Sequence, residues 1–312
     1  MRIRDLHELP KLRDSMSYLY LERCIIDRRQ RAVEAIDKRG RTLIPAASLS
    51  VLLLGPGTSI THEAVKTLTD NGCSILWVGE EGVRMYAQGH GETRRAYQLL
   101  RQAELVSNPV TRLEVVLRMY EFRFGEKLDP TLTLAQVRGY EGQRVRRAYE
   151  RASREWGVPW HGRRYDRHNW NAADPINRAL SAANAALNGV CHAAIVSAGY
   201  SPGLGFIHTG KQFSFVYDIA DLYKTTITVP IAFYETAQGE YRLESRVRHT
   251  CRDAFYKLKL LGRIVSDIHH ILDLSKEVLD AGAATDTDPA RPEPWWTPPG
   301  MSDSDPIQGG DA

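Results

Sequence analysis

A chain of 312 residues, 43% of them hydrophobic, is long enough to bury a core without disulfides or a structural metal. Its four cysteines form no CxxC pair or zinc spacing, and residues 1–15 carry charges throughout. No uncharged apolar run reaches the roughly 18 residues that span a bilayer, so we expect a soluble cytoplasmic protein. Of the net charge of +3, residues 280–312 carry −6 and residues 1–279 therefore carry +9, a basic body that permits nucleic-acid binding without establishing it.

The first ninety residues predict a small β-rich domain. Apolar, β-branched runs bounded by turn residues predict strands at residues 31–37, 42–46, 48–55, 73–79 and 83–89. Thr61 is well placed to cap a short helix over residues 61–72.

From residue 91 the apolar pattern changes to the 3.6-residue period of helices. Helical runs cover residues 94–106, 109–125, 134–157, 174–200, 215–223, 243–262 and 264–282. Pro109 suits a helix start, Pro230 predicts a break, and the alanine-rich run at 174–200 predicts a central bundle helix.

The predicted fold class is therefore α+β, in three parts. Residues 1–90 form the β-rich domain, residues 91–280 a larger all-α domain, and residues 281–312 a Pro-rich acidic tail. The tail has too little apolar content to offset its ordering entropy, so we expect it to be disordered.

Side chains that bind hard metal ions recur in the helical half. They are Glu141 among arginines, His208 in GFIHTGK, and Asp218 with Asp221 in VYDIADLYK. Two aspartates three residues apart lie on one helix face, about 5–6 Å apart between Cβ atoms, and can reach a common ion. Oxygen and nitrogen ligands without thiolate favour Mg²⁺ or Mn²⁺ over zinc.

Each of these residues also has an ordinary structural interpretation. Asp221 can form a salt bridge with Lys224 or with an arginine, and His208 can be a core or surface histidine. Glu141 can form a weak surface ion pair with an arginine of its own helix, namely Arg138, Arg144 or Arg147. Spacing alone leaves both interpretations open.

The run GFIHTGK at residues 205–211 matches the GxxxxGK core of a phosphate-binding loop. Gln212 stands where that loop has its magnesium-binding serine or threonine, and no apolar strand precedes the run. We therefore expect no nucleotide-hydrolysing loop here, and Lys211 is interpreted as a cation that can meet a phosphate.

Two groups of basic residues predict a nucleic-acid interface. The first combines nine arginines with aromatic residues: Arg138, Arg144, Arg146, Arg147, Arg151, Arg154, Arg163, Arg164, Arg167, Trp156, Trp160, Tyr165 and Trp170. The second follows helical spacings: Arg242, Arg246, Arg248, Arg252, Lys257 and Lys259. Arginine forks suit phosphates and aromatic rings suit unstacked bases, although a solvated helix face explains either group equally well.

Longer strings carry a family resemblance over residues 10–280. They are PGTSITHEAV, WVGEEGVRMYA, MYEFRFGE, RGYEGQRVR, WHGRRYD, SAGYSPGLGFIHTGK, SFVYDIADLYK and CRDAF. These strings closely resemble the CRISPR-associated adaptation integrase of type I-E systems, the larger of the two universal spacer-acquisition proteins.

The resemblance implies a fold, an activity and an assembly. It implies a divalent-metal-dependent DNA endonuclease and integrase that inserts short duplex protospacers into the CRISPR repeat array by 3′-OH transesterification. It also implies a homodimer, two of which flank a dimer of a small ferredoxin-like partner in a heterohexamer.

The family's metal ligands fall on Glu141, His208 and Asp221, accompanied by Asp218. The family's motifs and the basic groups together give these candidate DNA contacts: Arg84, Arg138, Arg146, Arg163, Tyr165, Trp170, Lys211, Tyr217, Lys224, Arg248 and Arg252.

The resemblance weakens near residues 21–24. Arg23 stands where the family has an aromatic ring that wedges the duplex ends apart, and Tyr18 or Tyr20 are possible substitutes. Two other functions remain as alternatives. One is a non-catalytic nucleic-acid-binding scaffold, and the other is a metal hydrolase acting on small phosphorylated molecules.

Overall fold

Strands occupy the first part of the chain and helices most of the rest, which confirms a mixed α+β class. The computed structural model describes residues 18–30, 32–46, 49, 51–80, 85–89, 96–129, 131–163 and 174–274. The predicted acidic tail at residues 281–312 lies outside these ranges, and the domain division at residue 90 stays a prediction.

The strands form two four-stranded sheets. In chain order they are β1 Tyr18–Leu21, β2 Ile25–Arg29, β3 Ala32–Asp37, β4 Gly40–Ile44, β5 Val51–Leu54, β6 Ser59–Ile60, β7 Ser74–Val78 and β8 Met85–Gly89. The first sheet has the order β1-β5-β7-β8, with only β8 antiparallel to its neighbour. The second has the order β4-β3-β2-β6, in which β6 pairs parallel to β2.

Most helices follow the predicted runs, but α7 was not predicted. They are α1 His62–Asp70, α2 Tyr97–Ser107, α3 Pro109–Phe124, α4 Leu134–Trp156, α5 Pro175–Ser197, α6 Ser214–Asp221, α7 Val229–Ala237, α8 Leu243–Lys257 and α9 Leu260–Ile271. Thr61 caps α1 by accepting from the Ala64 N–H, as predicted, and Pro109 begins α3. Thr133 and Gln136 form a reciprocal capping box at the start of α4.

Two predicted boundaries are wrong. Pro230 does not break a helix, because it lies in the first turn of α7, where its missing N–H is tolerated. A π-helical turn, Lys224–Thr228, leads directly into that helix. The run predicted as one helix over residues 243–262 divides at Lys259, whose φ of +49° is left-handed and cannot continue a right-handed helix.

Helix α5 is the centre of the helical core, as its alanine content predicted. It packs against α6, α7, α8 and α9, and its buried Ala179, Ala183 and Ala186 permit close approach. Among the described residues, α5 alone is long and apolar enough to cross a membrane, but 67% of its apolar window is buried inside the protein. The packing identifies it as a core helix.

The first sheet shares this core, since Val51, Leu76 and Val78 belong to the same buried cluster as α5. A second buried cluster lies on the other side of the strands and includes Ile26 and Leu68 of α1. The sheets therefore support the helical half, which carries the candidate site.

Candidate functional site

Two of the predicted metal ligands meet at one buried arginine. Arg123, at the end of α3, has a side chain only 5% exposed. Its two terminal nitrogens lie 3.2 Å from Glu141 Oε1 on α4 and 3.2 Å from Asp221 Oδ2 on α6. Helix packing therefore brings together two carboxylates that are far apart in sequence.

Further cations lie around these carboxylates. Lys224 Nζ is 2.5 Å from Asp221 Oδ1, and Arg144 is 3.8 Å from Glu141 Oε2. The lysine pair and the arginine pair are the ordinary interactions that the sequence allowed for Asp221 and Glu141. Arg123 was not anticipated for either.

A buried carboxylate orients the loop that carries His208. Asp218 Oδ2 accepts hydrogen bonds from the N–H groups of Phe206 at 2.6 Å and Ile207 at 3.0 Å. Its Oδ1 accepts from the His208 N–H at 2.9 Å and lies 2.7 Å from His208 Nδ1. Because this carboxylate is an acceptor, Nδ1 carries the proton and Nε2 is left for another partner.

This geometry changes the role we assign to Asp218. We predicted it as an additional metal ligand, but its side chain is fully buried and both oxygens are engaged in these hydrogen bonds. Although Asp218 and Asp221 lie on one helix face, they have different partners. Asp218 binds the His208 loop, and Asp221 pairs with Arg123. Asp218 is better placed to orient His208 than to bind an ion.

Two more side chains, one buried and one partly buried, hold the same loop. Gln102 of α2 is fully buried; its amide accepts from the Ser201 N–H and donates to the Ser201 and Leu204 carbonyls. Arg112 of α3 donates two hydrogen bonds to the Phe206 carbonyl, at 2.9 and 2.8 Å. The loop lacks regular structure, so these side chains satisfy its backbone.

The imidazole of His208 reaches the solvent and the neighbouring charges. Its side chain is 44% exposed, and the Tyr217 ring meets it edge-on at 5.9 Å. The hydrogen bond with Asp218 raises the pKa of His208, partial burial opposes this rise, and the charge of Asp221 adds to it. His208 is therefore within electrostatic range of Asp221.

The oxygen and nitrogen donors of Glu141, His208 and Asp221 are of the type that binds a divalent ion, but their arrangement fits one only in part. Glu141 Oε2 is buried and accepts no hydrogen bond from the described residues, so it retains capacity for a ligand. Within the described ranges, however, no three His, Cys, Asp or Glu side chains lie close enough together to hold one ion. Arg123 and Lys224 neutralise the carboxylates instead.

The sequence comparisons decide the family. A relative from Thermus thermophilus, described as CRISPR-associated endonuclease Cas1 2, is 52% identical over 311 residues, covering 99% of this chain and 94% of the relative. This chain belongs to the Cas1 family of CRISPR-associated proteins. The family profile described as CRISPR associated protein Cas1 matches residues 122–248, which include Glu141, His208 and Asp221.

Other Cas1 proteins agree with this assignment. CRISPR-associated endonuclease Cas1 of Escherichia coli is 43% identical over 262 residues, covering 84% of this chain and 86% of the relative. A crystal structure described as a TtCas1–DNA complex matches with a TM-score of 0.79 and 54% identity, covering 86% of this chain and all of that chain.

Part of the basic surface predicted from the sequence of this Cas1 chain is open to solvent. Arg138 and Arg146 on α4 and Lys211 in the His208 loop are exposed, and Arg248 on α8 is half-buried. In the described part of the chain, none of these four forms a salt bridge. They remain available for phosphates.

Other candidate contacts have partners inside the protein. Arg163 donates to the Asn177 backbone and side chain and to Ser181, which ties its loop to α5. Lys224 and Arg252 pair with the neighbouring acids Asp221 and Asp253. Arg246 binds Glu235 and the end of α7, and Trp160 stacks on Tyr149, so these two members of the basic groups have structural roles.

The remaining predicted contacts, Arg84, Tyr165 and Trp170, lie outside the described residues. The residues discussed for splaying duplex ends are described: Tyr18 and Tyr20 lie on β1, and Arg23 occupies the following turn with a φ of +53°. Sequence reasoning missed Arg123, Gln102 and Arg112, because a charged or polar residue on a mostly apolar helix gives no signal of its distant partner.

Proposed function

We propose that this Cas1 chain is a divalent-metal-dependent DNA endonuclease and integrase of CRISPR adaptation in a type I-E system. It inserts short duplex protospacers into the repeat array by attack of a 3′-hydroxyl on a phosphodiester. The observation that carries the proposal is the convergence of Glu141 and Asp221 on one guanidinium, beside the oriented imidazole of His208. The endonuclease names of the relatives and the DNA complex of TtCas1 support it. Its type I-E assignment rests on the shared sequence strings.

Glu141, His208 and Asp221 are the residues that would hold Mg²⁺ or Mn²⁺. Such an ion would polarise the scissile phosphodiester and favour ionisation of the attacking hydroxyl. The donors are oxygen and nitrogen without thiolate, which suits these ions. Asp218 keeps the His208 ring in one tautomer, with Nδ1 bonded to Asp218 and Nε2 left as an acceptor.

The basic residues bind and orient the DNA. Arg138 and Arg144 lie three residues on either side of Glu141, so α4 places cations next to the site along the same helix. Lys211 follows His208 in its loop and is exposed. Their charges hold phosphates near the carboxylates, and this attraction makes binding depend on salt.

The assembly is part of the proposal. The chain acts as a homodimer, two copies of which flank a dimer of a small ferredoxin-like partner, in the cytoplasm where the chromosome is accessible. Size-exclusion chromatography with light scattering tests this arrangement. A chain that stays monomeric with and without the partner contradicts it.

An integration assay tests the activity. It uses a supercoiled target bearing a repeat, a labelled duplex, the small partner and Mn²⁺, with and without chelator. Wild-type protein should join the label to the target only without chelator, and Glu141→Gln, His208→Ala and Asp221→Asn should each lose joining. Glu150→Gln, an exposed acid on the same helix, is the matched control and should retain it.

One observation favours a second candidate, a non-catalytic nucleic-acid-binding scaffold. Both carboxylates are ion-paired here, as a purely structural role would require. Joining that persists in chelator or in the Glu141→Gln variant contradicts the metal-dependent enzyme. Duplex binding without any joining by the wild type supports the scaffold.

A further inference from the structure

Arg123 is the cation most deeply enclosed by the candidate site, and no part of the proposed reaction requires it. A buried charge is unfavourable unless it is paired, and the removal of one partner from a buried pair strongly destabilises a protein. The chain nevertheless places this guanidinium, 5% exposed, between three helices. Its position therefore needs a physical explanation.

We propose that Arg123 is a built-in counter-ion that holds Glu141 and Asp221 together in the metal-free protein and is relieved of this role when a divalent ion binds. The inference rests on the proposed metal site and adds a positioning residue to it. The guanidinium lies 3.2 Å from each carboxylate, so one positive charge offsets the mutual repulsion of two negative ones.

The pairing is incomplete, which suits a replaceable partner. Arg123 Nη2 lies within ion-pair distance of Asp221 but is too poorly aligned for a hydrogen bond, and Nε finds no acceptor among the described residues. Glu141 Oε2 likewise accepts no hydrogen bond within the described part of the chain. The carboxylates are neutralised without being saturated, so they retain capacity for a stronger ligand.

The arginine is held by its own helix as well as by the acids. It lies in the last turn of α3, where a cation interacts favourably with the helix dipole, and Gly125 ends that helix in a left-handed conformation. Its guanidinium also lies 5.6 Å from the centre of the Tyr120 ring. A cation fixed in this way can set the positions of Glu141 and Asp221.

A double-mutant cycle in metal-free protein tests the counter-ion role without relying on metal binding. Arg123→Met should lower Tm by about 5 °C or more, because the partly buried carboxylates of Glu141 and Asp221 lose their shared cation. Adding Glu141→Gln to Arg123→Met should recover part of this loss, and Arg123→Lys should lose less than Arg123→Met.

Arg118→Met is the matched control. Arg118 lies on the same helix and donates to the Ile271 carbonyl, so its loss removes a hydrogen bond without freeing a carboxylate. Glu141→Gln should give no recovery in that background. If Glu141→Gln changes Tm equally in the wild-type, Arg123→Met and Arg118→Met backgrounds, the counter-ion role is wrong.

Addition of Mn²⁺ tests the exchange. Mn²⁺ should raise the Tm of Arg123→Met more than that of the wild type or of Arg118→Met, because only Arg123→Met lacks the cation that Glu141 and Asp221 share. If Mn²⁺ raises the Tm of all three proteins equally, the proposed exchange of Arg123 for a metal ion is wrong. If calorimetry shows no Mn²⁺ binding to any of them, the proposed function fails instead, and the metal-free cycle alone decides the role of Arg123.

Discussion

The buried carboxylate of Asp218 is the group that fixes the orientation of His208. From spacing, it shares a helix face with Asp221 and looks like a second ligand. In the structure its carboxylate accepts the N–H groups of three consecutive residues and orients His208. Spacing predicts which residues share a helix face. It does not predict which groups donate hydrogen bonds to a carboxylate, because these depend on the loop packed against it.

Arg123 marks the limit of prediction at the same scale. The sequence predicted Glu141, His208 and Asp221 as one group, and the structure brings the two acids together on this arginine. Within MYEFRFGE an arginine resembles a surface residue on an amphipathic helix. Its burial and its pairing with acids on α4 and α6 arise from tertiary structure, which the sequence of α3 does not reveal.

His192 gives a pH prediction. It lies on α5 with its ring 4.8 Å from that of Phe213, and burial lowers its pKa to about 4. The unfolded chain takes up a proton near pH 6.5, whereas the folded protein does so only near its lowered pKa. Folding stability therefore falls as pH decreases from about 6.5 towards 4, and this contribution is constant above pH 7.

When the pH is lowered from 7.5 to 5, the Tm of the His192→Phe variant should fall less than the Tm of the wild type. Thermal denaturation of both proteins at the two pH values measures this difference. Equal losses in the two proteins would show that His192 is not the group responsible.

At the scale of elements, the helix starts were predictable and the internal boundaries were not. Thr61 and Pro109 act at helix starts as their chemistry requires. Pro230 predicts a break, but in the structure it lies in the first turn of α7, directly after a π-helical turn. Lys259 divides two helices although nothing in its type favours a positive φ.

The loop between α5 and α6 is the element on which His208 depends. Gln102→Leu keeps the side chain close in size but leaves three backbone groups of Ser201 and Leu204 without their partner. Each buried group left unpaired costs about 1–3 kcal/mol. We therefore expect a lower Tm and a loss of DNA joining, with duplex affinity largely retained.

The matched control is Arg101→Ala, whose side chain pairs with Glu104 on the same helix. It should retain Tm and joining within error. Joining at the wild-type rate by a folded Gln102→Leu protein would show that the loop keeps His208 in place without this support.

At the scale of the whole molecule, periodicity predicted the β-rich region, the helical region and the central helix. It did not predict that the two regions share a core. Val51 and Leu76 of the first sheet join the helical core, a packing that a division at residue 90 does not suggest. The uneven charge predicted a basic surface. Burial then divided its members into solvent-facing cations and structural ones such as Arg246.

Arg248 is the cation for which charge reversal is most informative. It forms no salt bridge with the described residues, so Arg248→Glu removes a phosphate partner without breaking an internal pair. Duplex affinity should fall, and the slope of log affinity against log salt should decrease by about one or more. Fluorescence anisotropy at several salt concentrations measures the slope, and Arg101→Glu is the control for the same change in net charge.

The most direct test of the central claim is calorimetric titration of the folded chain with Mn²⁺. The account predicts one site in the wild type and at least about tenfold weaker binding in Glu141→Gln, His208→Ala and Asp221→Asn alike, because each would lose a ligand of the same ion. Glu150→Gln should bind as the wild type does. Unchanged Mn²⁺ affinity in the first three variants would contradict a shared metal site.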